Sequence, residues 1–141
     1  MFQELLTGLL AAVAFGAVGL LMMVLGYVLV DLATPGKLRQ LIWVERNPNA
    51  ALLLVSGLIG IGTILTTAIA ASANDILAGL LGTVFYGLLG LVLMSLSFAL
   101  IDAATPGKLG DELTSPTMHP GTWVSAAAHI VIAVVMAAAI W

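Results

Sequence analysis

Four stretches of this chain, roughly Leu5 to Val30, Ala50 to Ala71, Ile76 to Ile101 and Trp123 to Trp141, contain no Asp, Glu, Lys or Arg. Each holds about 20 or more mostly apolar residues, the length a helix needs to cross a hydrocarbon layer about 30 Å thick. Because lipid offers no hydrogen bonds, a spanning segment must satisfy its own backbone, so each run reads as a helix. Composition agrees: with 62% hydrophobic residues, 8% charged ones and a mean hydropathy of +1.19, there is too little polar surface to coat a water-soluble particle of 141 residues. The expected fold class is all-α integral membrane, with four transmembrane helices. The first and third runs, at about 26 residues and about 39 Å, should tilt or protrude from the bilayer. Only Ser72, Ala73, Asn74 and Asp75 separate the second run from the third, which forces a tight antiparallel hairpin.

The chain also repeats itself. Asp31-Leu32-Ala33-Thr34-Pro35-Gly36-Lys37-Leu38 returns 71 positions later as Asp102-Ala103-Ala104-Thr105-Pro106-Gly107-Lys108-Leu109, each copy closing a long apolar run. At the same offset Leu6 matches Leu77, Gly8 matches Gly79, Phe15 matches Tyr86, and Gly16 and Gly19 match Gly87 and Gly90. Pro48 and Pro120 correspond at an offset of 72. Self-similarity at a fixed period signals a duplicated unit. The expected organisation is a first repeat at residues 1–71 and a second at 72–141, each with two transmembrane helices. An even number of spans per repeat makes the halves parallel, related by an axis along the membrane normal.

This pattern resembles a bacterial inner-membrane family known as domain of unknown function 350, or the UPF0719 transmembrane proteins. Asp31 and Asp102, with Thr34-Pro35-Gly36 and Thr105-Pro106-Gly107, carry the resemblance, which extends over nearly the whole chain. It implies tandem two-helix repeats in the bacterial inner membrane and brings no reaction with it.

Lys37, Arg39 and Arg46 lie in the first loop and Lys108 in the third; no other segment has a Lys or Arg. By the positive-inside rule, loops one and three face the cytoplasm, and both termini with the Ser72 hairpin face outward. The residues before the first run carry no basic charge, so no cleaved signal peptide is expected. Four basic residues against a net charge of −3 exclude a nucleic-acid partner. The absence of cysteine excludes disulfides and thiolate chemistry.

The paired aspartates are the leading site candidates. An acid at the edge of a span loses hydration and must find donors or cations. One reading is a local brace: Thr34 caps a helix starting at Pro35, and Asp31 accepts from the free amides of that turn or from Lys37, with Asp102, Thr105, Pro106, Gly107 and Lys108 repeating the device. A second reading is a cation or proton site, extended to a ring of acids in an oligomer, and a third is the docking of a partner. His129 lies inside the fourth span, where its repeat counterpart is Gly57, and shares a face with Ser125, Ala133 and Ala137. That face should point to a packed helix, with His129 as a hydrogen-bonded packing residue, or else as a proton relay or ligand contact. Tyr86, mid-way along the third span, is expected to seek a partner in His129 or a hydroxyl of the second span.

Gly8, Ala12 and Gly16, and their equivalents Gly79, Thr83 and Gly87, recur every four residues and form small-residue stripes for close helix packing. The stripes join helices within one chain or between chains. Trp43, Trp123 and Trp141 read as interfacial anchors. Loop one places Leu38, Leu41 and Ile42 on one helical face and reads as a short interfacial helix, with Arg39 and Arg46 available to anionic headgroups. Loop three, with Asp111, Glu112, Pro116 and Pro120, reads as an extended, exposed connector. No metal site is expected, since His119 and His129 stand about 15 Å apart along a helix and no acid cluster completes a set. No cofactor is expected either.

Two function classes stay open. The first, slightly favoured, is a homo-oligomeric channel or transporter for an ion or small cation, its path lined by Asp31, Asp102, His129 and Tyr86. Four short helices with so few polar residues could scarcely enclose a pore alone. The second is a non-transporting scaffold or accessory subunit, of the envelope-stress or amine-modification kind that the resemblance implies, docking a soluble partner on loops 37–48 and 108–120. No enzyme is expected, because no nucleophile and base pair or metal set is present in the pattern.

Overall fold

The computed structural model describes residues 1–72, 75–104 and 108–141. These form four long helices and two short ones: α1 (Phe2–Ala33), α2 (Leu38–Trp43), α3 (Pro48–Ala71), α4 (Ile76–Ala104), α5 (Leu109–Leu113) and α6 (Pro120–Ile140). α1, α3, α4 and α6 are each long and apolar enough to cross a membrane. At 1.5 Å per residue, α1 reaches about 48 Å and α4 about 43 Å, well beyond the hydrocarbon thickness, whereas α6 at about 31 Å matches it. The order long helix, short helix, long helix occurs twice along the chain.

Local chemistry sets the helix starts. Asn47 caps α3 by accepting from the amides of Asn49 (2.9 Å) and Ala50 (3.1 Å), with Pro48 at the first helical position, where a missing N–H costs nothing. His119 precedes Pro120 in the same way, its Nδ1 accepting from the Gly121 amide at 3.1 Å. Asp75 caps α4 through Leu77 and Ala78. Side-chain hydroxyls inside the spans return to the preceding turn: Thr63, Thr66, Thr67, Thr83 and Ser95 all donate to the carbonyl four residues back. This removes their polarity from the lipid.

α3 is the centre of the bundle. It packs along α6 most extensively and also meets α1 and α4. Met22, Ile61, Leu65 and Leu91 knit α1, α3 and α4 together, while Ile64, Met94, Ala133 and Met136 join α3, α4 and α6. Gly87 lies where α4 meets α1 and α3: a Cβ there would come within 2.9 Å of Leu65 and 3.2 Å of Met22. Such close approach is how helices associate in lipid, where burial of apolar surface gives no net drive between them. α1 is otherwise peripheral. Of its side chains only Met22 is buried, alongside Gly26, and Phe2 through Leu10 are all exposed.

Two loop expectations need correction. α2 does not lie with its apolar face in lipid: Leu38 and Leu41 are buried against Ala50 and Leu54, flanked by Tyr27, Val30, Ile42 and Leu58. Loop three is not an extended connector. Its Leu109 and Leu113, one turn apart, are each 1% exposed and anchor α5 under the bundle. A spacing of four residues was enough to make an apolar face, and withdrawing each leucine from the aqueous boundary is worth about 1.5–3 kcal/mol. The intervening Asp111 and Glu112, with the prolines that follow, masked that pair.

Candidate functional site

The end of the bundle that carries Lys37, Arg39, Arg46 and Lys108 also holds most of the polar structure. Here the chain leaves α1 at Thr34, turns through Pro35 and Gly36, and enters α2 at Leu38. Gly36 adopts φ +97°, a left-handed conformation that only glycine takes without strain. Asp31, in the last turn of α1, turns its carboxylate across this bend, and Oδ1 accepts from the Leu38 amide at 2.7 Å. In the second half Asp102 Oδ1 accepts from the Leu109 amide, also at 2.7 Å. Each carboxylate therefore sits at the positive N-terminal end of the short helix that follows it, which compensates for its unfavourable place at the negative end of the helix that carries it.

The cap is Asp31 rather than Thr34. The Thr34 hydroxyl donates backward to the Val30 carbonyl at 2.8 Å, and the new helix begins at Leu38 after Lys37, not at Pro35. Lys37 is exposed and occupies the N-cap position of α2, as Lys108 does for α5. Thr105, Pro106 and Gly107 lie outside the described residues.

A second polar cluster ties the two halves together. Asn49 is fully buried and uses its whole amide: Nδ2 donates to the carbonyls of Ser115 (3.1 Å) and Thr117 (2.8 Å), and Oδ1 accepts from the His119 amide (2.8 Å) and the Thr122 hydroxyl (3.1 Å). Asn47 Nδ2 adds a bond to the Ser115 carbonyl at 3.0 Å. These bonds clamp the segment after α5 onto the start of α3. Glu112 reaches the same corner, its Oε2 lying 2.9 Å from His119 Nδ1. Sequence reading missed this cluster because its members are 66–73 residues apart; Asn47-Pro48-Asn49 beside a run of Ser, Thr and Pro was the available signal.

Deeper in the bundle His129 is 4% exposed and pairs with Ser56 of α3, Oγ to Nδ1 at 3.1 Å. The face of α6 with Ser125, His129 and Ala133 is turned inward, and Met136 joins it. Tyr86 is not the partner of His129: it is 41% exposed on the outside of α4 and makes no hydrogen bond to the described residues. The structure therefore does not bring Asp31, Asp102, His129 and Tyr86 to one path. The two acids belong to the basic end, the imidazole to the core and the phenol to the surface.

The small-residue stripes also part company. Gly79, Thr83 and Gly87 are buried, whereas Gly8, Ala12 and Gly16 are exposed, and a Cβ on Gly8 or Gly16 would meet nothing within 4 Å. Arg39 and Arg46 are exposed, as are Trp43, Trp123 and Trp141. Among the described residues no three His, Asp or Glu side chains come together in a way that could hold a metal ion.

A family profile described as Domain of Unknown Function (DUF350) matches residues 4–140. The chain belongs to the DUF350 family. This DUF350 protein is 35% identical over 138 residues to a UPF0719 transmembrane protein of Mycolicibacterium paratuberculosis, covering 98% of this chain and 91% of that one. It is 33% identical over 136 residues to UPF0719 transmembrane proteins of Mycobacterium bovis and Mycobacterium tuberculosis, covering 96% of this chain and 90% of each. No solved structure matches the chain. Together with the four spanning helices, the family makes this a multi-pass transmembrane protein.

Proposed function

We propose that this DUF350 protein is a non-transporting scaffold or accessory subunit of the bacterial inner membrane, presenting its basic end to a soluble cytoplasmic partner. The observation that carries this reading is the use made of the aspartates. Oδ1 of each carboxylate accepts from the amide that starts a short helix, which is the work of a turn brace. Thr63, Thr66, Thr67, Thr83 and Ser95 likewise spend their hydroxyls on their own helices. What the basic end does hold is a rigid cap, built of α2, α5 and the Asn49 cluster, with Lys37, Arg39 and Arg46 on its outside. The bias of Lys and Arg puts that cap in the cytoplasm and both termini outside. The reading assigns no catalysis and no cofactor to the chain.

A homo-oligomeric channel is the second reading, and the bare stripe of Gly8, Ala12 and Gly16 favours it, since small residues at that spacing suit a helix from another copy. Reconstitution in liposomes separates the two. Proton, sodium, potassium and polyamine flux are measured for the wild type and for an Asp31→Asn/Asp102→Asn double variant that inserts equally well. The scaffold reading expects no flux for any cation from correctly oriented protein. Flux in the wild type that the double variant abolishes would reject it in favour of transport.

A further inference from the structure

We infer that the cleft beside His129 is a binding site for a membrane-soluble molecule that joins an apolar body to a single hydrogen-bond donor. The cleft lies between α1, α3 and α4, with α6 behind it. Gly26, Leu53, Gly57, Met94 and Phe98 form its apolar walls, and His129 supplies the imidazole. Its cavity volume is about 40 Å³, and all the empty space in and before it, open mouth included, is about 460 Å³.

The polarity of the site follows from counting protons. The Ser56 hydroxyl has a single proton to donate. Of the two acceptors in its reach the Leu53 carbonyl is the closer, at 2.8 Å against 3.1 Å for His129 Nδ1, which assigns the Ser56 proton to the carbonyl and the proton of the neutral ring to Nδ1. With the proton on Nδ1, Nε2 of the neutral ring is an acceptor, and no described residue donates to it. His129 lines this apolar cleft, where an acceptor calls for a donor, and it is the one histidine within a span. The missing group is a donor. An ether or a ketone cannot supply one, and an anion would find no Lys or Arg on these walls. On a measure where one water needs about 10–15 Å³, this room takes a head of about three heavy atoms, so the apolar remainder of a longer molecule lies in the open mouth among helices and acyl chains. A long-chain alcohol or a phenol has this form. Water has the donor without the body, and is the competitor.

The protein in lipid nanodiscs, with ¹⁵N-labelled histidine, is titrated with 1-decanol and with methyl decyl ether, which has the apolar body and no donor. The variant His119→Asn, which keeps an acceptor at the cap of α6, assigns the His129 signals. The expected result is a saturable shift of the His129 Nε2 resonance with decanol, and binding of the ether weaker by roughly tenfold, the worth of one hydrogen bond. Gly57→Ala narrows the cleft and keeps the imidazole; its methyl meets Val30 at 3.7 Å, an ordinary contact, so the fold survives. This variant should weaken decanol binding. Equal shifts with both compounds, no saturable shift, or an Nε2 already hydrogen-bonded in lipid alone and unmoved by decanol would each overturn the site, the last assigning it to water.

Discussion

At the scale of single residues, the turn after each first span rests on a carboxylate and a glycine. Asp31 accepts from the Leu38 amide and Asp102 from the Leu109 amide, at the same distance of 2.7 Å. An amide oxygen can also accept, so Asp31→Asn should keep most of the brace and lose only the charge at the helix N-terminus. Asp31→Ala removes the acceptor and should cost about 1 kcal/mol. Unfolding in mixed micelles orders the three proteins, and equal losses for Asn and Ala would show that the charge, not the bond, matters. Gly36 holds φ +97°, so Gly36→Ala should cost about 1–2 kcal/mol by strain alone, since a methyl there would touch nothing. The same unfolding assay reads it, and an Ala variant as stable as wild type would mean that the turn relaxes to another conformation.

At the scale of elements, the long helices were legible and the caps between them only in part. A run free of charge has one solution in lipid, and α3 and α4 begin within two residues of where hydropathy puts them. The acid at the end of α1 was legible as a brace because repetition marked it, with the free amides of the turn and Lys37 as its two candidate donors. Choosing the Leu38 amide over Lys37 depends on the path of the bend. α5 was hidden because its apolar content is two leucines among charges, and Asn49 was hidden because a lone polar residue says nothing about a partner 70 positions away. That residue gives the sharpest test at this scale. Asn49→Ala would strand the Thr117 carbonyl, the His119 amide and the Thr122 hydroxyl at once, and leave the Ser115 carbonyl with Asn47 alone, at a cost of about 3 kcal/mol. Hydrogen exchange should report it locally, as faster exchange between α5 and the first turn of α6 while the middle of α3 stays protected. Uniform acceleration throughout would mean that the clamp holds the whole bundle.

At the scale of the whole molecule, the two halves are alike in sequence and unlike in what covers them. The stripe on α4 is closed: a Cβ at Gly79 would meet Ser72 at 2.5 Å and Phe15 at 2.9 Å, and one at Gly87 would meet Leu65 and Met22. The matching stripe on α1 is open from Gly8 through Gly16, because α1 packs against α3 and α4 chiefly through its later turns and has no comparable neighbour on the other side. Bulk therefore has opposite consequences at equivalent positions. Gly87→Leu must push Leu65 and Met22 apart and should destabilise the folded chain by about 1–3 kcal/mol. Gly16→Leu meets empty space and should leave the stability of the isolated chain unchanged. Native mass spectrometry from lipid nanodiscs then gives the pair its meaning. If the scaffold is monomeric, Gly16→Leu and wild type give the same mass. If α1 lends its stripe to another copy, wild type gives a multimer and Gly16→Leu dissociates it without unfolding the subunit, and the oligomeric reading gains the interface that a single chain leaves open.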